Sequence, residues 1–275
     1  MTLPLAWGRQ SASLPRVKDA RPRILQPHRS AAHYAASVSV SRFSSYILRT
    51  TDVEAAAAFY DAVLERRGDG IVPLHESAIA RGARPHWLGH IGVRERGDAE
   101  SKVARFVELG AMRLGPPGGA GDFVVLRDAG GAIVALTDSV AESSAGVAWH
   151  QLNTREPNIA AASYSALFGW SFTEKLDLGE LGSHQRFAFG PGEPSTGVIS
   201  DVGRRPDVHS HWLFFFAVPA LDVAVQRVRT HGGIAIGPVE LPNGARIAAC
   251  DDAQGAAFGM IEPNDAARLA TGRAG

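Results

Sequence analysis

The sequence predicts an α+β protein made of four related units, each a strand, a helix and further strands. Three observations predict it. His86-Trp87-Leu88 returns as His211-Trp212-Leu213, 125 residues later. The segment after each copy also returns: a helical stretch ending at Gly110 or Gly232, a run closing on Gly-Pro, and a hairpin signal, Asp128-Ala-Gly-Gly or Asp252-Ala-Gln-Gly. Leu48 to Tyr60 matches Leu152 to Tyr164 at a spacing of 104. Self-similarity at a fixed spacing means one structural unit used repeatedly. The units run A, B, A′, B′, and A is 21 residues shorter than A′. The missing stretch falls after Leu64, where A′ has the longer run from Phe172 to Phe189.

The chain opens on a basic tail, residues 1–40, in which Arg9, Arg16, Lys18, Arg21, Arg23 and Arg29 face one acid, Asp19. Pro4, Pro15, Pro22 and Pro27 interrupt any helix. With little apolar material to bury, the tail is expected to stay disordered. A flexible tail, a transit peptide and an over-called start all fit its composition, whereas a secretory signal would need a continuous apolar stretch. Tyr46 to Thr50 and Trp149 to Thr154 read as opening strands. The helices Val53 to Leu64 and Pro157 to Phe168 follow Thr with Asp or Glu, which suit a helix start. Pro157 stands early in its helix, where a missing N–H does least harm. Lys102 to Gly110 and Val223 to Gly232 read as helices with glycine stops. Later strands are expected at Phe123 to Leu126, Ala132 to Thr137, Arg186 to Phe189, Gly197 to Ser200, Arg246 to Ala249 and Ala256 to Ile261. The two Asp-x-x-Gly segments read as tight hairpins.

Composition closes off several functions. The 275 residues are 45% hydrophobic and 20% charged, an ordinary globular balance. Lys plus Arg and Asp plus Glu are 28 each, so the chain lacks the broad basic field of a nucleic-acid binder. Its longest apolar run, Trp212 to Val218, has strand length and is far short of the roughly 18 residues of a membrane span. Cys250 stands alone, which excludes an internal disulfide and a cysteine zinc cluster and fits a reducing, cytoplasmic compartment. Cys250 lies in a small-residue strand and reads as buried and inert. No Gly-x-Ser-x-Gly elbow is present, and the glycine-rich Gly115 to Gly121 lacks the Lys-Ser/Thr of a phosphate loop.

Thr51-Asp52-Val53 with Phe59-Tyr60, Tyr164 with Leu167-Phe168-Gly169-Trp170, and the two Asp-x-x-Gly hairpins carry a resemblance. Through them, residues 43–263 resemble the vicinal oxygen chelate superfamily: the glyoxalase, bleomycin-resistance and extradiol-dioxygenase relatives. The tandem glyoxalase-like branch is the most similar. The resemblance implies βαβββ units, paired so that two units form an open curled sheet around a cleft with helices outside. Residues 41–140 would form the first such domain from A and B, and residues 146–264 the second from A′ and B′. An exchange of units between the halves stays open. Residues 265–275 are a C-terminal stub.

Metal-dependent members line each cleft with His or Glu on the first strand and Glu on the last strand of each unit. Those positions fall on Ser45 in A, Trp149 in A′, near Ile91 with His90 adjacent in B, and Leu213 in B′. The last-strand Glu is replaced by Ala135 in B and Gly259 in B′. Of these side chains only Ser45 brings an oxygen, a poor set for a divalent ion. No metal and no other cofactor is therefore expected.

The leading reading is a glyoxalase-like protein that holds a small or flat, partly apolar metabolite in a metal-free second cleft. Trp149 would stack on it, with Gln151, His184 and His211 as polar contacts; Ser45 and His90 would line the first, smaller cleft. His150 should point to the opposite face, because strand side chains alternate. The same alternation turns Trp87 and Trp212 away from His86 and His211, which suits core packing better than an aromatic wall. The alternative is a metal-dependent lyase, isomerase or oxygenase with ligands among His86, His90, His209 and His211. A third reading is an interaction protein whose clefts are filled by side chains. The partner expected is a small molecule, with no nucleic acid and no membrane, on a monomer or homodimer.

Overall fold

The computed structural model describes residues 23–25, 40–65, 70–93, 98–114, 123–139, 146–179, 182–241 and 243–264. After a short strand β1 (Arg23–Leu25), unit A comprises β2 (Arg42–Thr50), α1 (Val53–Leu64), β3 (Ile71–Pro73) and a short helix α2 (Glu76–Ala80). Unit B comes next as β4 (His86–Gly92), α3 (Asp98–Glu108), β5 (Met112–Leu114), β6 (Phe123–Arg127) and β7 (Ile133–Thr137). Unit A′ is β8 (Val147–Asn153), α4 (Pro157–Phe168), β9 (Ser171–Asp177), β10 (Ser183–Ala188) and β11 (Gly197–Ser200). Unit B′ is β12 (His211–Ala217), α5 (Leu221–Thr230), β13 (Ile234–Glu240), β14 (Arg246–Asp251) and β15 (Ala257–Glu262).

The helix ends obey local chemistry. The Asp52 carboxylate accepts from the Ala55 N–H and caps α1. Pro157 opens α4, and Gly169 closes it in the left-handed region at φ 70°. α3 and α5 begin earlier than the sequence indicated, at Asp98 and Leu221 rather than Lys102 and Val223. Helix boundaries are the least legible part of a sequence pattern.

The strands form two sheets. One has six strands in the order β3-β2-β4-β7-β6-β5; the other has nine, β1-β9-β10-β11-β8-β12-β15-β14-β13. Units join through their opening strands, β2 antiparallel to β4 and β8 antiparallel to β12. A therefore shares a sheet with B, and A′ with B′; the sheets do not exchange units. Two expectations need correction. Unit A does not show a full βαβββ unit: β3 lies parallel beside β2 as β11 lies beside β8, so among the described residues A has no counterpart of the β9–β10 hairpin. The basic tail is not wholly unstructured either. Arg23–Leu25 pairs antiparallel with Leu176's strand, β9, whose outer edge would otherwise present unpaired backbone groups. Residues 1–22 and 26–39 of the tail and the stub 265–275 lie outside the described residues.

Each sheet turns one face toward the other half. Phe43, Tyr46 and Leu48 of β2, Trp87 and Ile91 of β4, Trp212, Phe214 and Phe216 of β12, and Phe258 and Met260 of β15 make one shared apolar core. Phe43 meets Phe214 edge-on at 5.4 Å, and Tyr46 meets it at 5.0 Å. The helices pack on this core side, α1 against α5 and α3 against α4, so each half lends a helix to its neighbour. Burying that much aromatic surface is the main stabilising contribution. The opposite face of each sheet carries the alternating positions that the sequence assigned to the clefts. No helix among the described residues is long and apolar enough to cross a membrane.

Candidate functional site

The most repeated residues serve the core. Trp87 Nε1 donates to Tyr60 Oη at 2.9 Å, and Tyr60 donates onward to Asp252 at 3.2 Å. The second copy is the same: Trp212 Nε1 to Tyr164 Oη, then to Asp128, both at 3.2 Å. In each relay the tryptophan and tyrosine come from different units, and the aspartate comes from the hairpin of the other half. Each aspartate's second oxygen accepts the backbone N–H four residues on, Ala132 at 2.8 Å and Ala256 at 2.9 Å. Burial raises the pKa of both carboxyls, opposed by these hydrogen bonds. The Asp-x-x-Gly signal is thus a clamp between halves, and both tryptophans point away from the clefts.

The second cleft is built on the outer face of the nine-stranded sheet. Successive cross-strand partners His211, Asn153, Ser200 and His184 make one polar row over four strands. Gln151 and Trp149 stand on the same face of β8, two and four residues before Asn153. His211 Nδ1 donates to the His209 carbonyl at 2.8 Å, which leaves Nε2 to accept from Asn153 Nδ2 at 3.2 Å. Asn153 Oδ1 accepts from Gln151 Nε2 at 2.8 Å. Burial, with His209 beside it, pulls the His211 pKa down to about 4, so the ring is neutral at pH 7.

Beyond the intervening Leu213–Gln151 row, the next row on this face is apolar. Trp149 pairs with Phe215, and Phe215 with Gly259. The Phe215 ring lies directly against Gly259, where any Cβ would collide with it. The B′ position opposite Trp149 is therefore Phe215, two residues beyond the Leu213 counted from the sequence; Leu213 faces the same cleft and pairs with Gln151. Asp251 sits on the cleft face of β14 with Oδ1 buried and without a hydrogen-bond partner. Burial, then Asp252, raises its pKa from 3.8 to about 6.

The first cleft lies on the outer face of the six-stranded sheet. Ser45 pairs with His90, and His90 with Ala135. His90, not Ile91, faces the cleft; Ile91 is fully buried in the core. A bulge between Phe43 and Ser45 in β2 shifts the register. Arg49 continues the face that carries Ser45 and Ile47, and its guanidinium lies 5.5 Å over the Phe123 ring.

The predicted residues thus divide. Trp149, Gln151, His184 and His211 share one face of the nine-stranded sheet, with the His211 row about 13 Å along β8 from Trp149 and Gln151 between them, whereas Ser45 and His90 pair on one face of the six-stranded sheet. The four histidines of the metal alternative do not converge. His86 and His90 belong to one sheet and His211 to the other, with His209 in the segment leading into its strand. His86 and His90, four strand residues apart, are separated by about 13 Å. Among the described residues no three His, Cys, Asp or Glu side chains gather as a metal site would require. His150 points into the core as alternation requires, accepting from Tyr46 Oη at 2.6 Å and donating to the Thr196 carbonyl at 2.8 Å. Cys250 is buried and its thiol pushed up to about 12, which keeps it from acting as a thiolate. Sequence reasoning missed Asn153, Phe215, Asp251 and Arg49. Counting by twos from Trp149 and Ser45 would have found Asn153 and Arg49, and the 125-residue repeat maps His90 onto Phe215.

Residues 42–260 match the family model described as the glyoxalase/bleomycin resistance protein/dioxygenase superfamily. Among curated proteins, CFP32 of Mycobacterium tuberculosis (strain CDC 1551 / Oshkosh), whose name provisionally calls it a glyoxylase, is 26% identical over 249 residues, covering 78% of this chain and 92% of its own. Among solved structures, the 2,3-dioxygenase LapB from Pseudomonas sp. KL28 superposes with a TM-score of 0.54 at 11% identity, over 83% of this chain and 94% of its own. The Mn(II)-bound glyoxalase from Novosphingobium aromaticivorans gives 0.50 at 12% identity, over 81% and 83%.

Proposed function

The chain belongs to the glyoxalase/bleomycin resistance protein/dioxygenase superfamily, and from that premise we propose that it binds a small, partly apolar metabolite in a metal-free second cleft. The observation that carries the reading is the row Trp149, Phe215, Gly259. Aromatic surface stands where metal-dependent relatives would need donors, and the Phe215 ring fills the space a last-strand glutamate would use. Those residue types do not fit a divalent ion. They suit the face of a flat ligand, while Gln151 and the Asn153–His211 pair offer directed polar contacts at its edge. The proposed setting is a reducing cytoplasm, supported by the single buried cysteine, with the protein a monomer or homodimer.

The test is a fluorescence titration with phenol, indole and acetophenone, in the wild type and in Trp149→Leu. Saturable quenching by at least one probe, lost in the variant, is expected. Quenching that is absent, or unchanged in Trp149→Leu, would sink the reading. Elemental analysis after dialysis against zinc, iron, manganese and nickel addresses the metal separately: a stoichiometric ion would overturn the metal-free part and support the enzyme alternative.

A further inference from the structure

The six strands of the first sheet contain no aspartate or glutamate at all, but they carry Arg42, Arg49, Arg113, Arg127, His86 and His90. Two of these arginines are matched by acids from elsewhere: Arg42 by Glu193 and Arg113 by Glu100. Arg49 and Arg127 are not; among the described residues no carboxylate lies within ion-pair distance of either. Both stand on the cleft face. Arg49 is in line with Ser45, and Arg127 is in line with Val125, the partner of Ala135.

Arg49 is the unusual one. It is half-buried over the Phe123 ring, and burial draws its pKa down. A guanidinium withdrawn from water without a counter-charge is costly. Beside it, His90 is only 5% exposed, its ring against Phe123 at 4.7 Å and its Nε2 buried with no hydrogen-bond partner. A buried nitrogen without a partner is uncommon in native proteins and calls for a ligand or water. Around these groups the same face presents Ile47, Leu88, Val125 and Ala135. The absent hairpin of unit A leaves β3 as the edge on this side.

We propose that the first cleft is a second binding site, for a small carboxylate with a flat apolar body. Arg49 meets the carboxylate with its planar fork, which matches two oxygens at once. His90 Nε2 supplies a hydrogen bond deeper in the cleft, and the apolar side chains and Phe123 take the body. Arg127 adds a positive field at the exposed end. The site is separate from the second cleft and does not depend on the ligand proposed there.

The experiment uses benzoate as probe and benzyl alcohol as its uncharged counterpart, on the full chain. Binding is read by calorimetry and by the ring resonances of ¹⁵N-histidine-labelled protein. Benzoate is expected to bind and to shift the His90 signals, with benzyl alcohol at least about tenfold weaker. Arg49→Gln should weaken benzoate by about tenfold or more, and Arg49→Lys should be intermediate, keeping charge but losing the fork. Trp149→Leu should leave benzoate affinity unchanged. The proposal is overturned if benzoate fails to bind at tens of millimolar, if benzyl alcohol binds as well, or if folded Arg49→Gln and Arg49→Lys both bind like wild type. Loss of benzoate binding in Trp149→Leu would also overturn it, because the second cleft would then be the site.

Discussion

Tyr60 of the first half donates its phenolic proton to Asp252 of the second at 3.2 Å, and Tyr164 of the second half returns the same bond to Asp128 of the first. The two bonds are related by the internal repeat, so the chain is clamped twice at its own approximate symmetry. Tyr60→Phe strands the Asp252 oxygen and the Trp87 indole N–H in a dry environment. Each orphaned group costs about 1 to 3 kcal/mol, and Tyr164→Phe should cost the same. Because the relays share no residue, the double variant should lose close to the sum. Urea unfolding curves would check this; a loss below about 0.5 kcal/mol for either single variant would contradict it.

A second prediction concerns Gly259 and Phe215. Gly259→Ala drives a Cβ into the Phe215 ring, an overpacking change that costs about 1 to 3 kcal/mol. Phe215→Ala removes a buried ring and costs about 3 to 5 kcal/mol. If the two side chains compete for one space, Gly259→Ala should be nearly free in the Phe215→Ala background, giving a coupling on the order of 1 kcal/mol or more. Strict additivity in a double-mutant cycle would show that the ring does not fill the glutamate position.

These contacts mark how far the sequence was readable. The repeat exposed the four units because Trp87, Tyr60 and the hairpin aspartates each have a counterpart doing the same work. The ends of α1 and α4 were legible because Asp52 and Gly169 act locally. The register was not local. Counting from helix punctuation gave the neighbourhood of Ile91 and Leu213, whereas the sheets align His90 with Ser45 and Phe215 with Trp149; an extra residue in β2, between Phe43 and Ser45, breaks the count in the first sheet. The sequence does not single out Arg49, because the Phe123 ring beneath its guanidinium comes from a strand more than 70 residues away. The strand at Arg23–Leu25 was hidden for a similar reason: its partner, β9, is more than a hundred residues away.

Asp251 gives a pH prediction. Its carboxyl titrates near 6 in the fold against 3.8 when unperturbed, raised by burial and by Asp252. The folded chain therefore holds this proton more tightly than the unfolded chain. The resulting stabilisation is complete below pH 3.8 and lost as pH rises through 6. Asp251→Asn, which cannot ionise, should be more stable than wild type at pH 7 by on the order of 2 kcal/mol. The advantage should shrink through the window and vanish near pH 4. Unfolding free energies at pH 4, 5, 6 and 7 would test it; a pH-independent difference would assign the effect to packing instead.

His211 fixes what the second cleft can ask of a ligand. The His209 carbonyl is only an acceptor, so the bond at His211 Nδ1 requires the proton on Nδ1. Nε2 must then accept, which aims the Asn153 amide nitrogen at the ring and turns Asn153 Oδ1 toward Gln151 Nε2. Every orientation along the chain of bonds is set by that first carbonyl. The Gln151 carboxamide oxygen is left as the accepting end, so a ligand lying on Trp149 is favoured if it brings a hydroxyl or N–H. Two outcomes are expected. Long-range ¹H–¹⁵N spectra should show His211 as the neutral Nδ1–H tautomer from pH 5.5 to 8, because its pKa is drawn down to about 4. Phenol and indole should bind more tightly than acetophenone, by about fivefold to tenfold for one hydrogen bond. An Nε2–H tautomer, or titration of His211 near 6.5, would reverse the chain of bonds and make Gln151 a donor, and the preference among the probes should then invert.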